Sequence, residues 1–237
     1  MPSQREASLQ EFRSGLRAPL PLVIGVFSFG LAYGILAIQA GLSFLESTLM
    51  SLTVFAGAAQ FVATGMLMSG AEALPILVTT FMINSRHFLM SASLAPYVGG
   101  WKLKWKALLS FLLADETYAM TMSHFSKNTP NKYYQLGVGL NVYTVWVLSS
   151  IAGSALGPLV GNPQAWGLDF ALPATFIALI LPMLQNWRDI LVCITAGLLS
   201  IVCFTWLPGK WYVTFASLVA IALGWGLVEL CKQKSSR

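Results

Sequence analysis

Two polar clusters interrupt an otherwise apolar chain, Asn84-Ser85-Arg86-His87 and Asp115-Glu116. The first lies within Leu74 to Leu94 and the second within Trp105 to Met122, each long enough to cross a bilayer as a helix. A guanidinium can fork two hydrogen bonds onto a carboxylate, and a carboxylate can accept from an ammonium, so these groups together could hold a zwitterion. Arg86 precedes Pro96 by ten residues and Asp115 follows Trp105 by ten. A short loop, Ala95 to Lys104, joins the two stretches, and at ~1.5 Å per residue both groups sit roughly 15 Å below it and can meet. An ion at mid-bilayer costs at least ~2.5 to 3.5 kcal/mol, so the two are read as partners facing the protein interior, either pinning two helices together or serving a ligand. Asp115 and Glu116 project about 100° apart on a helix, so only one can pair with Arg86. Matching depth assigns the pair to Asp115 and leaves Glu116 desolvated, as the candidate proton carrier. Asn84 and Arg86 point about 200° apart on a continuous helix and share a pocket only if the helix is broken between them. Asn84, His87 and Ser91 share a face.

The elements that must position these groups follow from composition. Of 237 residues, 56% are hydrophobic and 10% charged, against about 25% charged in a soluble domain, which makes this an all-α integral membrane protein. The net charge of +5 comes from basic residues in tails and loops, so nucleic-acid binding is not implied. Cys193, Cys203 and Cys231 have no metal or redox spacing and read as apolar fillers.

Residues 1–18 form a charged N-terminus with Leu9, Phe12 and Leu16 at helical spacing, which predicts an amphipathic helix at the cytoplasmic membrane surface rather than a cleavable signal. A single transmembrane domain is expected over 19–231, with a basic tail at 232–237. It holds eight hydrophobic segments: Leu20 to Ile38, Thr48 to Met68, the two named above, Tyr134 to Gly157, Leu168 to Gln185, Ile190 to Leu207 and Trp211 to Leu230. In the second, Thr53, Gly57, Gln60 and Thr64 share a face, either as a packing stripe or as the wall of a site built on a broken helix. Phe55, Phe61 and Trp146 are candidates for that wall or for plain packing.

The segments fall into halves of about 19–126 and 132–231, in which Gly30/Gly34 match Gly153/Gly157, Glu46 matches Asp169 and Pro96 matches Pro208, the pattern of an internal repeat. Charge counting compares two topologies. Eight full spans put nine basic residues inside and four outside; if the second and sixth segments dip in and return, ten lie inside and three outside, with Lys127 and Lys132 external and the halves inverted. The expectation is therefore six to eight spans, the dipping arrangement ahead by one charge.

Enzyme chemistry fits poorly. His87 and Ser91 lack an oxyanion device, and His87, Asp115, Glu116 and His124 lack metal-ligand spacing, so no catalytic residue, metal or cofactor is expected.

Phe55-Ala-Gly-Ala-Ala-Gln-Phe61, Asn84-Ser-Arg-His87 leading to Ser93-Leu-Ala-Pro96, Leu113-Ala-Asp-Glu-Thr-Tyr-Ala119 and Leu168-Asp-Phe-Ala-Leu-Pro173 occur in this order along the chain. Together they resemble the AzlC/YgaZ family of branched-chain amino acid exporters. The resemblance implies a multi-pass protein of the cytoplasmic (inner) membrane exporting valine, leucine and isoleucine, with methionine a further candidate. It also implies a small membrane partner subunit of the AzlD/YgaH type. Combined with the chemistry above, the candidate substrate-binding residues are Gly57, Gln60, Phe61, Asn84, Arg86, His87, Asp115 and Glu116, with Glu116 and Asp115 as proton-coupling groups. A passive channel or a scaffold subunit is the alternative.

Overall fold

A computed structural model describes residues 4–160, 186–206, 215–216 and 218–226, and Ile177, Leu181 and Leu184 singly. The described residues are helical and contain no strand. The sixth segment apart from those single residues, Asp169, Pro173, Pro182, Pro208, much of the last segment and the 232–237 tail lie outside them.

The core is a pair of helices. α1 (Gln4–Arg17) leads into α2 (Val23–Gln39), and both lie along α9 (Lys132–Leu156). The contacts advance together along both chains: Gly15 meets Tyr134, Gly30 meets Trp146 and Ser149, Gly34 meets Ser150 and Ser154, and Gly157 meets Ile38. α2 and α9 therefore cross in the same direction. Glycine lets the backbones touch, as small residues do at membrane helix interfaces. α1 thus packs against α9, with Gly15 buried on it, rather than lying only at the membrane surface.

Three hydrophobic segments connect this pair, and each is broken in its middle. The first comprises α3 (Phe44–Thr53) and α4 (Gly57–Met68), the second α5 (Ala73–Asn84) and α6 (Arg86–Val98), the third α7 (Leu103–Phe111) and α8 (Asp115–Phe125). The first folds back on itself. Ser47 Oγ lies 2.8 Å from Ser154 Oγ near the end of α9, Leu52 accepts from Tyr143 Oη at 2.9 Å deeper in, and Gln60 Nε2 then donates to Ser51 Oγ at 3.2 Å on the way out. The third folds back from the opposite end: Trp105 meets Tyr133 edge-on, Phe111 packs tilted against Tyr143, and His124 lies flat on Tyr134. Segment 73–98 alone crosses between them, interrupted at Ser85, whose hydroxyl donates to the Met82 carbonyl at 2.6 Å and competes with the helical ladder. One crossing between α2 and α9 is what their parallel packing requires.

A repeat emerges inside the first two-thirds of the chain. A 10-residue and a 12-residue half-helix (α3, α4) precede the crossing α5–α6, and half-helices of 9 and 11 residues (α7, α8) precede α9. The two units enter from opposite sides, so they are inverted. Half-helices of this size reach ~15 Å, about half of a ~30 Å hydrocarbon core, and their tips meet at mid-depth.

Charge then orients the molecule. The end formed by α1, the 99–106 loop and the 126–132 connection holds Arg5, Arg13, Arg17, Lys102, Lys104, Lys106, Lys127 and Lys132. The opposite end, at 40–43, 69–72 and 157–160, has no Lys or Arg and is flanked by Glu46 and Glu72. The basic end is cytoplasmic by the positive-inside rule. This corrects two expectations from sequence. Segment Trp105 to Met122 does not cross, and Lys127 and Lys132 lie with Lys104 rather than outside, because the fold-back of α7 and α8 returns the chain to the side it left. Single cysteines at Lys104 and Lys127 are expected to react with an impermeant thiol reagent only from the cytoplasm, and one at Glu72 only from outside; external labelling at position 127 would refute the fold-back.

α10 (Trp187–Trp206) is long and apolar enough to span, and much of its surface is exposed. Residues 218–226 are helical, and Gly224 approaches Val192 of α10.

Candidate functional site

The two tips and the bend in the crossing segment converge on one pocket. Phe55 sits at the first tip with φ 45, a left-handed conformation that is strained for a residue with a Cβ and recurs at functional sites. It lies against Phe111 of the other hairpin at 6.5 Å and against Tyr143 at 5.0 Å, so one aromatic group joins both tips to α9. Each break is stitched in the same way. Gln60 Oε1 accepts from the Ala56 N–H at 3.3 Å and from Trp146 Nε1 at 3.1 Å. Thr117 Oγ1 accepts from the Ala114 N–H at 2.6 Å and lies 3.0 Å from the Leu112 carbonyl oxygen, to which it can donate.

These stitches reach the residue before each half-helix, and the opening turn of a helix has no internal acceptor for its first N–H groups. Gly57 and Ala58 at the start of α4, Arg86 and His87 at the start of α6, and Asp115 and Glu116 at the start of α8 all line the pocket. Neither Ala56 nor Ser85 caps its helix with a side chain. The N-termini of α4 and α8, which begin at the two tips, thus lie at one space, a setting that favours anions.

Arg86 and Asp115 pair directly, Nη2 to Oδ2 at 2.8 Å, with side chains 25% and 40% exposed in the pocket. Arg86 Nε is buried without a partner, and Glu116 lines the same wall with no ion pair among the described residues. The rest of the lining is apolar: Val26 and Phe29 from α2, Phe61 from α4, Val142 and Trp146 from α9. Trp146 and Tyr33 stack at 5.9 Å, and Phe61 meets both edge-on, so this wall is rigid. A Cβ on Gly57 would come within 2.9 Å of the Trp146 ring, so the ring packs directly on this glycine.

Of the eight residues singled out from sequence, Gly57, Phe61, Arg86, His87, Asp115 and Glu116 line this pocket. Gln60 is fully buried behind it, holding Ala56, Ser51 and Trp146. Asn84 faces a neighbouring groove with Ser91 and Ser110, although the helix is interrupted between Asn84 and Arg86; its carbonyl oxygen lies 3.1 Å from His87 Nδ1. His124 is remote, stacked on Tyr134 with Nε2 3.7 Å from Glu11. Val26, Phe29, Ala114 and Val142 were missed, because an apolar residue in an apolar span carries no sign of which face it presents.

Comparison with known proteins bears on what this pocket serves. Residues 21–160 match the AzlC protein family, a stretch that contains α2 through α9 and every residue of the pocket. The chain is 32% identical over 195 residues to the inner membrane protein YgaZ of Escherichia coli, covering 80% of this chain and 79% of that one. It is 27% identical over 216 residues to the branched-chain amino acid transport protein AzlC of Bacillus subtilis, covering 90% and 83%. An uncharacterized membrane protein of Archaeoglobus fulgidus is 31% identical over 196 residues, covering 80% and 83%. No solved structure matches. The family match spans the whole inverted repeat, and the relatives align over most of their own lengths, so the chain belongs to the AzlC family.

Proposed function

We propose that the chain is a secondary transporter that exports branched-chain amino acids through the pocket between the two half-helix tips. The observation that carries this reading is the pairing of Arg86 with Asp115 beside an unpaired Glu116, at the free ends of short helices and under an apolar wall. A zwitterion with an aliphatic side chain suits each part. Its carboxylate fits the free N–H groups of Gly57 and Ala58 and the unused donors of Arg86, its ammonium fits Glu116, and its side chain fits Val26, Phe61 and Trp146. The named function of the Bacillus subtilis relative supports the same substrate class. A small membrane subunit of the AzlD/YgaH type completes the proposed exporter.

Coupling follows from charge. Arg86, Asp115 and Glu116 together carry one excess negative charge when all are ionised, which a proton or the substrate ammonium neutralises. Glu116 is the proposed proton site, since Asp115 holds Arg86. The test is efflux of labelled valine from cells expressing the chain with and without the small subunit. Glu116→Gln is expected to abolish uphill export driven by a pH gradient while downhill exchange of labelled for unlabelled valine continues. Uphill export by that variant with the wild-type pH dependence would move the proton role elsewhere. A passive channel, the alternative, would equilibrate valine but never accumulate it against a gradient in either form.

A further inference from the structure

The break in the crossing segment is closed by a side chain of the pocket itself. On an unbroken helix the Asn84 carbonyl would accept from the Phe88 N–H, four residues on. Here the Phe88 N–H turns instead to the Ser85 carbonyl at 3.0 Å. His87 takes up the carbonyl that this leaves, its Nδ1 lying 3.1 Å from the Asn84 oxygen. A carbonyl oxygen can only accept, so Nδ1 carries the proton and the neutral ring keeps a lone pair on Nε2. One bond thus fixes both the tautomer and the orientation of the ring. With Nδ1 turned back to the backbone, the outer edge that carries Nε2 is the part left to meet a ligand.

That lone pair answers a need of the pocket. A substrate ammonium brings several N–H donors out of water, and each must find an acceptor. Among the polar side chains of the lining, Arg86 and Trp146 only donate, and Asp115 already accepts from Arg86 at 2.8 Å. Glu116 and Nε2 of His87 are the side-chain acceptors that the guanidinium does not engage. We propose that His87, held as the Nδ1–H tautomer by Asn84, binds the substrate through Nε2, which accepts a hydrogen bond from the amino acid's ammonium beside the Glu116 carboxylate. His87 then selects an amino acid over the corresponding carboxylic acid. The assignment deepens the transporter reading and rests on it for the kind of ligand.

Two substitutions separate the bond to Asn84 from the bond to substrate. His87→Asn places an amide N–H where Nδ1 stood and can keep the stitch, but it has nothing at the position of Nε2. His87→Gln carries its amide out to that position. Binding to the purified full-length protein is measured for valine and for 3-methylbutanoate, which keeps the carboxylate and the branched side chain but has no ammonium. His87→Asn is expected to weaken valine about tenfold and 3-methylbutanoate less than about twofold, with His87→Gln regaining most of the valine affinity, since the bond lost is one to a charged group. Equal weakening of both ligands overturns the assignment, because the ring would then only support the fold. Wild-type valine affinity in His87→Asn overturns it as well, as does failure of His87→Gln to bind valine more tightly than His87→Asn. A wild-type chain that binds valine with the expected pattern yet exports none would refute the transporter reading and leave the ammonium site standing.

Discussion

Arg86→Ala is expected to reduce valine export at least hundredfold while the protein still inserts. The pair it breaks sits at the meeting point of the two hairpins, 2.8 Å from nitrogen to oxygen, and removing the arginine leaves Asp115 beside Glu116 with no other Arg or Lys among the pocket-lining residues. Breaking a fully buried ion pair costs ~3 to 5 kcal/mol; with both side chains partly open to the pocket, about 3 kcal/mol is a fairer figure, and each ~1.4 kcal/mol is tenfold. Arg86→Lys restores the charge but loses the planar fork, so it should transport poorly with a weakened apparent affinity. The double variant Arg86→Ala with Asp115→Ala discriminates the two roles. A pair that only pins helices would be rescued, because no charge is stranded, whereas an arginine that holds the substrate carboxylate would leave the double variant as inactive as the single one. Efflux normalised to the amount of protein in the membrane reads the outcome.

Gly153→Ala is expected to damage the fold itself. A Cβ there collides with the Leu31 carbonyl oxygen, and Gly34 on the facing helix is pressed in the same way against Ser150 and Ser154. Backbone cannot move aside as a side chain does, so α2 and α9 would separate along the contact that sets their parallel crossing. Overpacking costs ~1 to 3 kcal/mol when side chains can yield, and a backbone collision belongs at the top of that range, corresponding to roughly 5 to 10 °C in melting temperature. Gly25→Ala is the control, since nothing lies within 4 Å of the Cβ it adds, and helix propensity alone would make it neutral or slightly stabilising. Thermal unfolding in detergent separates the two. Equal melting of both variants would mean that the close approach of α2 and α9 is not what holds the pair together.

The sequence by itself determined the membrane class, the helical content and the contact between Arg86 and Asp115. Each follows from a one-dimensional quantity: the length of an apolar run, or the number of residues from a charge to the nearest loop. Equal depth was enough to bring those two side chains within reach of each other. It was also legible that Phe55 to Phe61 departs from an ordinary apolar helix, since glycine, small residues and a glutamine stand where leucine would.

Only the tertiary structure decided which segments cross. Hydropathy reports that residues 103–125 are at home in hydrocarbon, and that is equally true of a helix that spans and of two half-helices that meet their counterparts at mid-depth and return. The difference lies in long-range contacts, Trp105 with Tyr133 and His124 with Tyr134, which place both ends of that segment on one side. The same contacts move Lys127 to the cytoplasmic end and turn a one-charge margin into an unmixed distribution over residues 4–160. The site depended on those folds too. Gln60 and Gly57 look alike as polar or small residues on one helical stripe, yet the break at Phe55 turns Gly57 into the pocket and Gln60 behind it, where its amide holds the broken end that the pocket uses.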